Sequence, residues 1–130
     1  MISKESPSWR QIFKTNAYLA VRGLVYHPGP ITDNEKFLTT AQHSDATWIT
    51  LLVEDDVGGL EIRKDDYWMK VPYVEGGIIV NTGNVLASES GGANPFFKAV
   101  RHRVVRVSDS KTRFSMPFFY DREGSKTGGC

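Results

Sequence analysis

The chain has 130 residues, enough to bury one core and too few for two ordinary domains. Sixteen Lys and Arg against fifteen Asp and Glu leave a formal charge of +1, so no long-range field selects nucleic acid or an anionic membrane. The expected partner is a small molecule. The single cysteine, Cys130, stands last and has no internal disulfide partner; the start, Met1-Ile2-Ser3-Lys4-Glu5-Ser6, is polar, and no apolar run reaches bilayer length. The expected address is the cytosol.

Ser6-Pro7, followed by Trp9, Ile12 and Phe13 at helical spacing, predicts a short helix within a 1–17 helix-and-linker segment. Tyr18 to Tyr26 alternates: Leu19, Val21, Gly23 and Val25 take one face of a strand, and Tyr18, Ala20, Arg22, Leu24 and Tyr26 the other. His27-Pro28-Gly29-Pro30 stops it, and residues 31–36 are a polar connection. Short strands follow at Phe37 to Ala41 and Thr47 to Val53, the second the central one. Glu54 to Gly59 turns into a strand at Leu60 to Arg63, and Lys64-Asp65-Asp66 into one at Tyr67 to Val74. After Glu75-Gly76-Gly77 comes a buried-type strand at Ile78 to Asn81, then the turn Thr82-Gly83-Asn84 and a loop from Ser88 to Pro95. Phe96 to Val107 reads as one long strand, Ser108 to Lys111 as a hairpin turn and Arg113 to Tyr120 as the last strand, ahead of a flexible 122–130 tail. About eight short strands at this spacing predict an all-β sandwich or barrel.

Within that frame His43 and Asp45 stand two apart at the mouth of the central strand, where one face would carry an imidazole and a carboxylate together. A third ligand is supplied by His102, placed between Val100 and Val104 on a face opposite Arg101 and Arg103. Two histidines and a carboxylate make the facial set that leaves three positions open on a non-haem Fe(II). The plainer readings are a surface hydrogen bond for His43 with Asp45 and a neutral core imidazole for His102. Arg113 and Ser115 share a strand face, and a guanidinium beside a hydroxyl is a receptor for a carboxylate. A hairpin would bring them near His102, so an anchored dicarboxylate would present its other end to the metal. Trp48, Trp68, Phe96, Phe97, Phe118 and Phe119 read as core or pocket wall. Gly58-Gly59 and Gly76-Gly77 read as turn glycines, and Arg101, Arg103 and Arg106 as a solvated strand face.

His43-Ser44-Asp45, Leu51 to Ile62, Trp68, Val71-Pro72, Gly77 to Asn84, Lys98 with His102-Arg103-Val104, and Arg113-Phe114-Ser115 with Pro117-Phe118-Phe119 follow one another in order. In that order the sequence resembles the 2-oxoglutarate and Fe(II)-dependent dioxygenases of the isopenicillin N synthase-like branch, over roughly residues 18–121. The resemblance implies a double-stranded β-helix, or jelly roll, with iron held by His43, Asp45 and His102. It implies that Arg113 and Ser115 hold the distal carboxylate of 2-oxoglutarate, with Tyr26 assisting co-substrate or substrate. Implied too are dioxygen as second co-substrate, ascorbate as an accessory reductant, and hydroxylation, desaturation or ring closure of a small organic molecule.

The sequence departs from the family pattern in three ways. The N-terminal helical region and C-terminal helix that members usually carry are not among these residues, which points to a fragment, a truncated product or a single domain. Asn84 replaces a common aspartate, Leu24 a common asparagine, and the loop from Ala87 to Phe97 is longer than usual. The alternative function is a truncated, non-catalytic remnant that binds metal or a partner. A zinc hydrolase uses a similar ligand set, but would give Arg113 and Ser115 no task.

Overall fold

The computed structural model describes residues 18–31, 38–91 and 96–121. The helix expected within 1–17 and the tail expected over 122–130 lie outside the described residues. The chain runs β1 (Tyr18–Val21), β2 (Leu24–Tyr26), β3 (Thr40–His43), β4 (Ile49–Glu54), β5 (Leu60–Lys64), β6 (Tyr67–Lys70), β7 (Ile79–Thr82), α1 (Asn84–Glu89), β8 (His102–Val104) and β9 (Arg113–Asp121). All pairings are antiparallel. One sheet orders β1-β9-β4-β7, with β2 also on β9, and the other orders β3-β8-β5-β6. The sheets enclose a cavity lined from both sides, which is the jelly roll that the sequence implies.

Period-two alternation decides what faces the cavity. Arg113, Ser115, Pro117 and Phe119 of β9, Thr50 and Leu52 of β4, Ile79 and Asn81 of β7, and Leu60 and Ile62 of β5 all line it. The opposite face of the larger sheet is apolar and uncovered among the described residues: Leu19, Val21, Val25, Phe114 and Met116 are all exposed.

Several elements differ from the sequence expectation. The strand expected over Tyr18 to Tyr26 breaks in two at Arg22-Gly23. Both halves keep one register against β9, and the gap faces Pro117, which accepts from Arg22 N at 3.1 Å but has no N–H to return. The long strand expected over Phe96 to Val107 pairs only at His102–Val104. Ahead of it the backbone divides its bonds between the sheets, with Val100 N donating to Thr82 O and Arg63 N to Arg101 O. Phe96 is 84% exposed, not core or pocket wall.

The expected hairpin at Ser108 to Lys111 is instead a link between the sheets: β8 and β9 do not pair, and Ser108 Oγ accepts from the Ser110 and Lys111 amides. The strand expected to reach Val74 ends at Lys70, before Pro72. Turns at Gly58, Gly59 and Gly76 carry φ of 80°, 99° and 68°, as turn glycines should.

Helix α1 was not legible, because six residues without a side-chain cap do not make a stable helix alone. It is held by tertiary bonds. Gly83 N donates to Trp48 O, Asn84 N to Asp45 O and Val85 N to Thr47 O, while Trp48 Nε1 donates to Glu89 Oε2. The approach at Gly83 is so close that a Cβ there would collide with Thr47 O and stand 2.9 Å from Asp45 O. Its φ is −101°, so space and not backbone freedom demands glycine. Gly83→Ala is expected to lower stability by about 1–3 kcal/mol through overpacking, read from a urea midpoint. A midpoint equal to wild type would mean that the loop carrying Asp45 is soft.

Candidate metal centre

His43 closes β3 and lies directly opposite His102 of β8, so the register itself sets the two rings side by side, with centroids 4.3 Å apart and planes tilted by 58°. Asp45 does not reach them along a common strand, as the sequence suggested. β3 and β4 belong to different sheets, and Asp45 sits in the loop between them, pinned by the amide of Asn84 on its carbonyl. That loop carries its carboxylate back to the imidazoles. Asp45 Oδ1 lies 3.5 Å from His43 Nε2 and 3.6 Å from His102 Nε2. Among the described residues, these three side chains form the group whose donor atoms can meet on one metal ion.

The donors fit a divalent ion chemically as well as in number. His43 Nδ1 lies 2.8 Å from Ala41 O, and His102 Nδ1 lies 3.1 Å from Val100 O. A carbonyl only accepts, so each Nδ1 carries the hydrogen and each Nε2 offers a lone pair to the centre. Asp45 Oδ2 accepts from Thr50 Oγ1 at 2.6 Å and Asn81 Nδ2 at 2.9 Å, leaving Oδ1 for the centre. Donors at right angles about 2.1 Å from one ion stand roughly 3 Å apart, so the two spacings from Asp45 need only a small contraction.

Burial alone would push the Asp45 carboxyl up. Hydrogen bonds with His43, Thr50 and Asn81 and the charge of His102 outweigh it and hold the carboxyl well below the usual carboxylate range. His43 is raised above the ordinary imidazole value, chiefly by its hydrogen bond with Asp45 and against the effect of burial. The Asp45 carboxylate that raises His43 would draw a metal cation to the same place.

The cavity holds about 330 Å³, within the usual range for a small-molecule site. Its walls include the three candidate ligands and, farther along, Tyr26, Arg113 and Ser115. Arg113 Nη1 donates to Ser115 Oγ at 3.0 Å, and the guanidinium lies 4.9 Å from the centre of the Tyr26 ring. The Tyr26 hydroxyl is 3.3 Å from Thr40 Oγ1. All six site residues expected from the sequence therefore line one cavity, although His102 and Arg113 meet across two sheets and not along a hairpin.

Four contributors escaped the sequence reading: Thr50 and Asn81 behind Asp45, Arg22 on the cavity wall over Phe119, and Glu54, which pairs with Arg113 at 2.6 Å. Thr50 and Asn81 are direct partners in the β4–β7 register, which no sequence signal discloses. Arg103, read as solvated, packs over Trp68 and pairs with Glu61 at 2.8 Å.

Residues 13–122 match the 2OG-Fe(II) oxygenase superfamily. The chain belongs to that superfamily. It is 40% identical over 106 residues to a 2-oxoglutarate-Fe(II) type oxidoreductase of Aspergillus fumigatus, a match that covers 80% of this chain and 30% of the relative. Against gibberellin 20 oxidase 2 of Oryza sativa subsp. indica it is 38% identical over 94 residues, covering 72% of this chain and 23% of that one. Its fold resembles the crystal structure of JOX2 in complex with 2OG, Fe and JA, with a TM-score of 0.69, 35% identity, and coverage of 83% of this chain and 30% of that one. This superfamily member thus spans less than a third of the relatives compared.

Proposed function

We propose that residues 18–121 form the jelly-roll part of a non-haem Fe(II) and 2-oxoglutarate-dependent dioxygenase that hydroxylates, desaturates or cyclises a small organic molecule. One observation carries this reading: three converging metal donors and an Arg–Ser pair share the wall of a single cavity. His43 and His102 would hold iron through Nε2 and Asp45 through Oδ1, with Arg113 and Ser115 seating the distal carboxylate of 2-oxoglutarate and Tyr26 packed against the guanidinium. When bound, Fe(II) supplies the redox chemistry that couples oxygen reduction to decarboxylation of the 2-oxo acid and oxidation of the substrate. The chain's own residues bind, orient and shield. Thr50 and Asn81 fix Asp45, the two backbone carbonyls fix the imidazole rings, and Leu52, Leu60, Ile62 and Val104 keep the cavity dry.

Assignment to the isopenicillin N synthase-like branch rests on the ordered motifs from His43-Ser44-Asp45 to Pro117-Phe118-Phe119. The cytosolic address rests on the single cysteine, a usage that suits a reducing compartment. No helix among the described residues is long and apolar enough to cross a membrane. A small-molecule partner, and not nucleic acid or an anionic membrane, agrees with the charge of +1.

Thr50→Val is expected to keep the fold and weaken Fe(II) binding about tenfold to a hundredfold, because Asp45 loses a partner that orients it. Competition with a chromophoric chelator checks it, and an unchanged affinity would separate Thr50 from the metal. The function itself is tested by succinate formation from 2-oxoglutarate in the Fe(II)-loaded chain under air. Succinate that disappears under nitrogen supports the reading; none from a folded, iron-loaded chain overturns it. In that event a remnant acting through a partner, which the apolar face of the larger sheet, uncovered among the described residues, favours, takes its place.

A further inference from the structure

Arg113 does not meet the cavity as a lone cation. Its Nη2 donates to Glu54 Oε2 at 2.6 Å, with both side chains almost wholly buried at 5% and 3% exposure. Glu54 lies directly across from Ser115 in the β4–β9 register, on the β4 face that carries Thr50 and Leu52, but past the residues that line the cavity. Glu54 Oε1 and Arg113 Nε are buried without a hydrogen-bond partner.

We propose that Glu54 is a positioning residue that sets the charge of the co-substrate subsite, presenting Arg113 as one half of a neutral pair. The inference rests on Arg113 and Ser115 being the seat of the 2-oxo acid's distal carboxylate. A guanidinium offers five N–H donors. Those not given to Glu54 and Ser115 remain for a carboxylate, apart from the Nε–H, which is buried without a partner. That carboxylate becomes a second anion on one cation, however, and the assembled trio carries a net negative charge in a dry site, where like charges repel strongly. Recognition of the diacid then comes from hydrogen-bond geometry, with its charge attraction largely cancelled. In exchange, Glu54 keeps a buried guanidinium paired while the cavity is empty, avoiding an isolated buried charge.

The test compares 2-oxoglutarate with 2-oxopentanoate, which has the same chain without the distal carboxylate, in anaerobic titrations of the Fe(II)-loaded wild type and Glu54→Gln. Glutamine keeps the shape and one acceptor but removes the charge. The expected result is 2-oxoglutarate binding on the order of tenfold tighter in Glu54→Gln, with 2-oxopentanoate unchanged. Wild type alone provides a second check, since a neutral pair predicts a preference for the diacid of about tenfold. A thousandfold preference in wild type, or a variant whose ratio equals that of wild type, overturns the role of Glu54 while leaving the functional reading intact. Failure of both acids to bind iron-loaded wild type overturns the functional reading, and this inference with it.

Discussion

Asp45→Ala is expected to lose Fe(II) binding by at least about a hundredfold, more than the loss of any residue that merely supports a ligand. Asp45 is the hinge of the centre: its Oδ1 faces both imidazoles, and its Oδ2 collects Thr50 and Asn81. It is also the one formal negative charge among the three donors, so its removal leaves two neutral imidazoles facing a cation. Alanine strands the Thr50 hydroxyl and the Asn81 amide as well, at about 1–3 kcal/mol for each buried donor left unmade. Asp45→Asn separates the two losses, because it keeps the shape and an acceptor for Thr50 but not the charge. Near-wild-type stability with iron affinity still lost is the expected outcome, read by thermal melts beside chelator competition. Iron retained in Asp45→Asn would mean that the carboxylate is structural.

The second large effect is at Arg113. Arg113→Ala removes the partner of a carboxylate buried to 3% exposure, and breaking a buried pair in this way costs about 3–5 kcal/mol. For a domain of this size that is a fall in Tm of roughly 10–25 °C. Replacing both members with methionine is expected to recover most of the loss, because apolar residues of similar volume repack where the charges stood. The double variant nevertheless keeps only the Ser115 hydroxyl for a distal carboxylate and no charge to pair with it. Stability restored without 2-oxoglutarate binding separates the two tasks of Arg113. A double variant as unstable as Arg113→Ala would show that the pair is needed for the fold itself, beyond charge compensation.

Much of this was legible because strands obey a period of two. That period put His102 with Val100 and Val104 and away from Arg103, and put Arg113 with Ser115; the structure has both alignments. Tyr26 entered through family resemblance, and its place beneath the Arg113 guanidinium depends on the β2–β9 register. What could not be read depends on contacts distant in sequence. Glu54 looked like the opening of a turn; 59 residues separate it from Arg113, and only the β4–β9 pairing brings them together. His43 and Asp45 appeared to share a strand, whereas a loop crossing between the sheets joins them, locked by Gly83 and the first turn of α1. Helix α1 left no cap or periodic signal because neighbouring backbone, not its own sequence, holds it.

In the proposed function His43, Asp45 and His102 hold iron at one end of the cavity while Arg113 and Ser115 seat a 2-oxo acid against it. The most direct measurement is an anaerobic titration of the chain with Fe(II) and then 2-oxoglutarate, following the weak visible charge-transfer band of the chelated 2-oxo acid. The band is expected to saturate in wild type, to be absent in His102→Ala, and to fail at the same 2-oxoglutarate concentration in the Arg113→Met, Glu54→Met double variant. A folded, iron-loaded wild-type chain that gives no band at any concentration would contradict this assignment of the site.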